Sequence, residues 1–256
     1  MASRDIVVVK LGGTTIESDE AIVAGIRDAL ARHSFVVVHG GGRTLTEWLE
    51  RTGVQSEFVN GLRVTSDAAL DVALAVLGGL VNGELVAAFR SAGVDAVGLT
   101  GIDGGLLQAE RRREMGRVGR ITGVRTEFVD ALLNAGFVPV VAPLALDEAG
   151  EPCNVNADEA ASALAAALGA RLVLLTDTDG VFDAAGQRIA EIDRGHASDL
   201  IERGVIASGM LPKVTGAIEA LDNGALDVVI ADGRAPRAVE RALADESFGT
   251  RIRKVP

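Results

Sequence analysis

The chain has 256 residues, 48% of them hydrophobic, enough to fill the core of one large or two small domains and to exclude a disordered tail. Its 25 Lys and Arg against 36 Asp and Glu give a net charge of -11, which excludes the basic footprint of a nucleic-acid or anionic-membrane binder and leaves any anionic ligand in need of a local positive pocket. The single cysteine, Cys153, excludes an intramolecular disulfide and a cysteine-based zinc site; the opening MASRDIVVVK lacks a signal-peptide core and the apolar stretch at residues 70–80 falls short of a ~20-residue membrane span, so a cytoplasmic protein with no membrane segment is expected.

In chain order, β-branched runs at residues 6–9, 35–38, 94–99, 138–141, 172–175 and 227–230 predict buried parallel strands. Between them, Ile22, Ile26 and Leu30 recur at helical spacing. So do Leu45, Trp48 and Leu49, then Ala157, Ala160, Ala161, Leu164 and Leu168, then Met210, Val214, Ile218 and Leu221. This alternation predicts an α/β fold with a doubly wound, mostly parallel open sheet sandwiched by helices. Two lobes are expected, residues 1–169 and 170–256, divided at the helix stop Leu168-Gly169-Ala170. Residues 66–90 read as one long helix that is apolar nearly all round, with Gly78-Gly79 at its middle, and a subunit interface is the simplest cover for it. Turn residues at Gly104-Gly105, at 116–119 and at 148–150 predict hairpins over the sheet edge, candidates for a lid, and the arginine run at 111–113 reads as a solvated hairpin.

Two glycine loops follow predicted strands: Lys10-Leu11-Gly12-Gly13-Thr14-Thr15, and His39-Gly40-Gly41-Gly42-Arg43-Thr44, which also opens a helix. Backbone N–H groups of glycine approach an anion closely and a helix N-terminus adds partial positive charge, so the pair could cradle one phosphoryl group; each loop alone could equally be a tight turn. Leu45 stands where a Rossmann turn needs its third glycine, and no Gly-Lys dipeptide exists for a Walker A loop, which weakens the dehydrogenase and P-loop readings.

Only three of the 25 basic residues are lysines, at 10, 213 and 254. Lys213 falls in the first turn of the helix opened by Ser208-Gly209-Met210-Leu211-Pro212, with Ser208 as a candidate cap. A lysine at the positive end of a helix is unfavourable unless an anion sits nearby or solvent screens it. Asn156 and Glu159 form a capping-box-like start to another helix, and Asp158 between them is either ordinary helix electrostatics or a counter-charge for lysines. Arg63, after the Asn60-Gly61 turn, offers a guanidinium fork for a carboxylate, and the polar Asp177-Thr178-Asp179-Gly180 loop after a strand suits a nucleotide.

Taken in order, Lys-Leu-Gly-Gly at 10–13, His-Gly-Gly-Gly at 39–42, Asn-Gly-Leu-Arg-Val-Thr at 60–65, Asn-Val-Asn-Ala-Asp at 154–158 and Gly-Met-x-Pro-Lys at 209–213 resemble the amino acid kinase family over nearly the whole chain. The pattern is most similar to members that phosphorylate the γ-carboxylate of N-acetyl-L-glutamate with ATP and Mg²⁺. The resemblance implies that Lys10 and Lys213 stabilise the transferring phosphoryl group from opposite sides, with Asp158 orienting both. It implies that Gly12 and Gly13 meet phosphate, that Gly41, Gly42, Arg63 and Asn154 hold the acyl amino acid, and that Asp177, Thr178, Asp179, Gly180, Val181, Phe182, Val205, Ile206 and Ala207 line the nucleotide site. Mg²⁺ would ride on the nucleotide, with no protein metal ligand. The carboxylate acceptor is already ionised at neutral pH and needs no general base, which leaves His39 and His196 a structural part only.

Arginine-inhibited, hexameric relatives carry a helical extension before the first strand, whereas Lys10 here follows only nine residues and Gly249-Thr250 keeps just part of the arginine-sensitive pattern, so an arginine-insensitive homodimer is expected. Two further readings remain: a kinase for aminoadipate carried on a small acidic protein, and a non-catalytic amino acid sensor on the same fold.

Overall fold

The computed structural model describes residues 5–12, 19–59, 61–207 and 209–254. The first half runs β1 (Asp5–Leu11), α1 (Asp19–Ala29), β2 (His33–His39), α2 (Gly42–Arg51), β3 (Phe58–Val59), β4 (Leu62–Arg63), α3 (Asp67–Ala73), α4 (Asn82–Ser91), β5 (Ala96–Thr100), β6 (Leu107–Arg111), β7 (Gly119–Val124) and α5 (Thr126–Asn134). The second runs β8 (Val138–Ala142), β9 (Leu144–Leu146), β10 (Pro152–Asn154), α6 (Ala157–Leu168), β11 (Arg171–Thr176), β12 (Glu191–Ile192), α7 (Arg194–Glu202), α8 (Met210–Asp222), β13 (Asp227–Asp232), α9 (Ala238–Ala244) and β14 (Thr250–Ile252).

The six β-branched runs all form strands of one eight-stranded sheet, ordered β12-β14-β13-β11-β1-β2-β8-β5. Its pairings are parallel except β13 against β14. Both faces are covered, so the strands need apolar residues at every position rather than alternating ones. The strand period of two still sorts them: Val7, Val9 and Leu11 face the core beneath α1 and α4, whereas Val8 faces the core that holds α6 and α8. Lys10 shares the parity of Val8, and His39, in register with Leu11, shares that of the opposite face. The sheet runs unbroken through β1 and β11, where the sequence suggested a lobe boundary.

The predicted long helix is helical throughout its length but not α-helical throughout. Ser66 caps its start by accepting from the Ala69 N–H, and between α3 and α4 residues Leu74–Val81 take π-helical geometry around Gly78-Gly79. An all-round apolar sequence carries no stripe from which the wider turn could be read. Asp67–Ser91 is also long and apolar enough to cross a membrane by length and composition, which the shorter stretch counted in the sequence understated. In the fold it is a core helix on one side, with Ala73, Val76, Leu77, Val81, Leu85 and Phe89 packed beneath it.

Of the expected hairpins, β6–β7 and β9–β10 are antiparallel pairs within a second sheet ordered β10-β9-β6-β7. The Gly104-Gly105 turn is not a hairpin: it is a 3₁₀ turn that carries the chain from β5 in the large sheet to β6 in the small one. Nor is the arginine run simply solvated. Arg111 donates to the Gly116 carbonyl and lies 3.9 Å from Asp147, and Arg112 lies 3.6 Å from Glu159, because two buried or half-buried carboxylates there need counter-charges.

Candidate active site

Three elements bring three charged side chains to one point. Lys10 reaches it from the end of β1, Asp158 from the first turn of α6 and Lys213 from the first turn of α8. The Asp158 carboxylate lies 2.8 Å from Lys10 Nζ through Oδ1 and 2.7 Å from Lys213 Nζ through Oδ2. The local backbone explains Asp158: the Asn156 side chain accepts from the N–H groups of Asp158 and Glu159, fixing the first turn of α6 and the direction of its side chains. Glu159 does not complete a capping box; its Oε1 accepts from the Ile121 N–H at 2.6 Å, tying α6 to β7 instead.

Asp158 is only 5% exposed and Lys10 is equally buried. Burial alone would raise the Asp158 carboxyl, but the Lys10 and Lys213 ammonium groups outweigh it and bring it down to about 2. Burial pushes Lys10 below the usual lysine range; Asp158 opposes that shift and Lys213 adds to it. Two ammonium groups share one carboxylate, so the cluster holds one surplus positive charge, with the N-terminal ends of α6 and α8 adding to it.

The His39-Gly40-Gly41-Gly42 loop lies beside this cluster at the C-terminal end of β2, the strand next to β1. Gly41 caps α2 with φ of 115°, a conformation that strains any residue with a Cβ, and a Cβ there would press on Leu77 at 2.9 Å; at Gly42 a side chain would meet open space. Gly12 follows β1 and is buried. Gly13 and Ser208 lie outside the described residues; the cap of α8 is Gly209, which makes no side-chain cap bond.

Arg63 leaves the β3–β4 hairpin and is buried, but its guanidinium is engaged by the protein: it donates to the Gly42 carbonyl at 3.0 Å, Thr46 Oγ1 at 2.6 Å and Ser56 Oγ at 3.0 Å, and stacks on Phe58. It lines a groove between α2 and the hairpin with Leu49, Ser56 and Val64, and Phe58, paired with Arg63 at the open end of the hairpin, is 60% exposed. Asn154, on β10, donates to Thr65 Oγ1 at 3.3 Å, close to the hairpin's exit.

The Asp177–Phe182 segment leaves the C-terminal end of β11, the strand on the other side of β1. Thr178 donates to the Gly180 carbonyl, Gly180 has φ of 141°, and the Val181 N–H donates to Thr250 Oγ1 at 2.8 Å. The side chains of Val181 and Ile206 belong to the core, so these two residues can offer a ligand only backbone; Asp177, Asp179, Phe182 and Ala207 keep exposed side chains, while Val205 packs partly against the core. The sequence reading passed over Arg234, which donates to the Asp177 carbonyl and to Asp232, joining the loops after β11 and β13. Its signal was the Asp232-Gly233-Arg234 turn at a strand's C-terminal end, where open α/β sheets bind ligands. Among the described residues, no three His, Cys, Asp or Glu side chains converge to hold a metal ion.

Residues 5–232 match the amino acid kinase family. The chain is 44% identical over 256 residues to the acetylglutamate kinase of Solibacter usitatus (strain Ellin6076), covering 96% of this chain and 98% of that protein. Among solved structures it is similar to smu.665 from Streptococcus mutans UA159, with a TM-score of 0.83 at 29% identity over 98% of this chain and 99% of the other. It shares its fold with N-acetylglutamate synthase from Neisseria gonorrhoeae, with a TM-score of 0.86 at 24% identity over 98% of this chain and 60% of that one.

Proposed function

This chain belongs to the amino acid kinase family, and on that premise we propose that it transfers the γ-phosphoryl group of ATP to the γ-carboxylate of N-acetyl-L-glutamate, the acyl-phosphate step of arginine biosynthesis. The observation that carries this reading is the buried Lys10–Asp158–Lys213 cluster with its surplus positive charge. Identity of 44% over 96% of the chain to an acetylglutamate kinase supports the acceptor.

A carboxylate acceptor arrives ionised and needs no base, so catalysis reduces to alignment and charge neutralisation. The transferring phosphoryl group passes between Lys10 and Lys213, whose ammonium groups meet the charge on its equatorial oxygens, while Asp158 holds both at a fixed separation. Backbone N–H groups of Gly12, Gly13, Gly41 and Gly42 receive phosphoryl and carboxylate oxygens at the helix end. Arg63 turns from its protein partners to the substrate's α-carboxylate, with Asn154 beside it, and the Phe58-Val59 strand closes the groove. ATP lies over residues 177–182 and 205–207. Mg²⁺ arrives on the nucleotide phosphates and waters, as it commonly does when a phosphoryl group is transferred. Residues 1–169 then serve the acyl amino acid and residues 170–256 the nucleotide. A second copy of the chain covers the long helix, whose Leu80 is 37% exposed, making a cytoplasmic homodimer.

Hydroxylamine traps an acyl phosphate as a hydroxamate. With MgATP, and N-acetyl-L-glutamate, glutamate or aminoadipate on its carrier protein offered in parallel, a hydroxamate from N-acetyl-L-glutamate alone is expected, lost in Lys213→Ala. Signal from the carrier alone, or ATP binding without any hydroxamate, would overturn the reading.

A further inference from the structure

Among the buried titratable groups that this mechanism does not use, one touches a glycine loop of the site. His39 ends β2 on the face of the sheet opposite Lys10 and is fully buried. Its Nε2 is 3.1 Å from Asn82 Nδ2, and its Nδ1 is 2.8 Å from the Gly40 carbonyl oxygen.

The placement of the ring proton follows by elimination. Asn82 Nδ2 also lies 2.8 Å from the Val140 carbonyl and 3.3 Å from the Leu99 carbonyl. Carbonyl oxygens only accept, so the amide turns its nitrogen, not its oxygen, to this corner. That NH₂ group has two hydrogens and cannot accept, so a proton on Nε2 would face it without a partner; its two shorter contacts, to the Val140 carbonyl and to His39 Nε2, take the hydrogens, and Nε2 accepts and carries no proton. The proton sits on Nδ1 and donates to the Gly40 carbonyl. Burial pushes the ring down to about 4, which keeps this neutral form at physiological pH. The arrangement is tightly enclosed: a Cβ on Gly98 would collide with Asn82 Oδ1.

The Gly40–Gly41 peptide is trans, so its C=O and N–H point in opposite directions. A peptide between two glycines flips with little steric cost, because neither residue has a Cβ to resist it. Here its carbonyl is held inward by His39, which turns the Gly41 N–H away from the ring. From the long-helix side, Leu77 and Val81 in the π-helical segment close on Gly41.

We propose that His39 is a positioning residue for phosphoryl transfer, its Nδ1–H locking the Gly40–Gly41 peptide so that the Gly41 N–H faces the reacting oxygens. The inference rests on the kinase reading above. It makes the buried Asn82–His39 pair the support of a neutral donor on one side of the reaction centre, as Asp158 is the support of the lysines on the other.

The test compares wild type, His39→Leu and His39→Asn by steady-state kinetics with N-acetyl-L-glutamate and MgATP. Leucine removes the donor; the asparagine amide nitrogen, one bond from Cγ like Nδ1, can still donate to the Gly40 carbonyl. His39→Leu is expected to lower kcat on the order of 10-fold to 100-fold with the KM for ATP within about twofold, and His39→Asn to recover most of that loss. A His39→Leu enzyme with unchanged kcat, or a His39→Asn enzyme as slow as His39→Leu, would overturn the inference. Should the leucine variant not fold, the ¹⁵N spectrum of the wild-type imidazole decides at neutral pH without any turnover: Nδ1–H is expected, and an Nε2–H tautomer or an imidazolium overturns it. A wild type that makes no acyl phosphate from N-acetyl-L-glutamate sinks the kinase reading, whereas an active wild type with an unimpaired His39→Leu sinks only this one.

Discussion

Two ionic clusters in this molecule, each built around a buried charge, use the same kinds of groups to opposite ends. At the candidate site, two ammonium groups share the single carboxylate of Asp158. At the far end of the sheet, Arg251 on β14 is 1% exposed and pairs with Asp227 at 2.7 Å and Glu246 at 2.9 Å, while Arg253 shares both carboxylates and adds Glu191. Arg251 also donates to the Ala242 and Asp245 carbonyls. There two cations meet three carboxylates, and the guanidinium fork of Arg251 is spent on protein atoms that pin α9 to β14. Burial and charge alone therefore do not mark an active site. A surplus of one sign, held on compact ammonium groups that can be shared with a newcomer, does.

The contrast is broken most forcefully at Arg251. Arg251→Ala removes the buried guanidinium that ties Asp227 to the Ala242 and Asp245 carbonyls and is expected to cost about 3 kcal/mol of stability, measured by urea unfolding, with turnover per folded molecule within about twofold of wild type. Lys213→Ala is the reverse case: turnover falls on the order of 10²-fold, while the urea midpoint stays near that of wild type, since Lys10 still neutralises Asp158. Were Arg251→Ala slow and Lys213→Ala active, the assignment of the two clusters would be inverted.

The Asp158 carboxyl sharpens the comparison through pH. Its folded value of about 2 lies below the ordinary 3.8, so its contribution is fully present above about pH 4 and is lost as pH falls toward 2. That contribution is about 2 kcal/mol by linkage. The stability gap between wild type and Asp158→Asn, followed by urea unfolding at several pH values, should narrow over that window; a constant gap would mean the carboxylate is not held by the lysines. At the small end, Arg203 and Asp199 form an exposed pair one helical turn apart in and after α7. Arg203→Ala is expected to leave both Tm and turnover unchanged, because solvent screens what burial amplifies elsewhere.

Much of this frame was legible in the residues. Strands buried on both faces announce themselves as unbroken β-branched runs, and the glycine loops at 10–13 and 39–42 mark the strand ends where the site lies. Asn156 was readable as a cap because its oxygen has two N–H groups to satisfy and no competing use. Beyond the two lysines of Asp158, which the family resemblance implied, the partners of charged residues were not readable. Glu159 satisfies β7 rather than its own helix, and Arg63 spends its fork on Gly42, Thr46 and Ser56, because such pairings depend on elements brought together only by the fold. The π-helical segment was hidden for a different reason: a wider turn in an all-apolar stretch shifts no visible stripe. His39 read as the head of a glycine loop with a structural part only, since its partner Asn82 lies 43 residues away on a helix.

The central claim, that the lysine cluster holds positive charge in waiting for an anion, is tested most directly by calorimetry. The protein and its Lys10→Met variant are titrated with a non-hydrolysable ATP analogue and Mg²⁺ at neutral pH. Wild type is expected to bind on the order of 10-fold more tightly than Lys10→Met, because the variant keeps Asp158 and Lys213 but has lost the surplus charge that meets the incoming phosphate. Equal affinity of wild type and Lys10→Met would contradict the account.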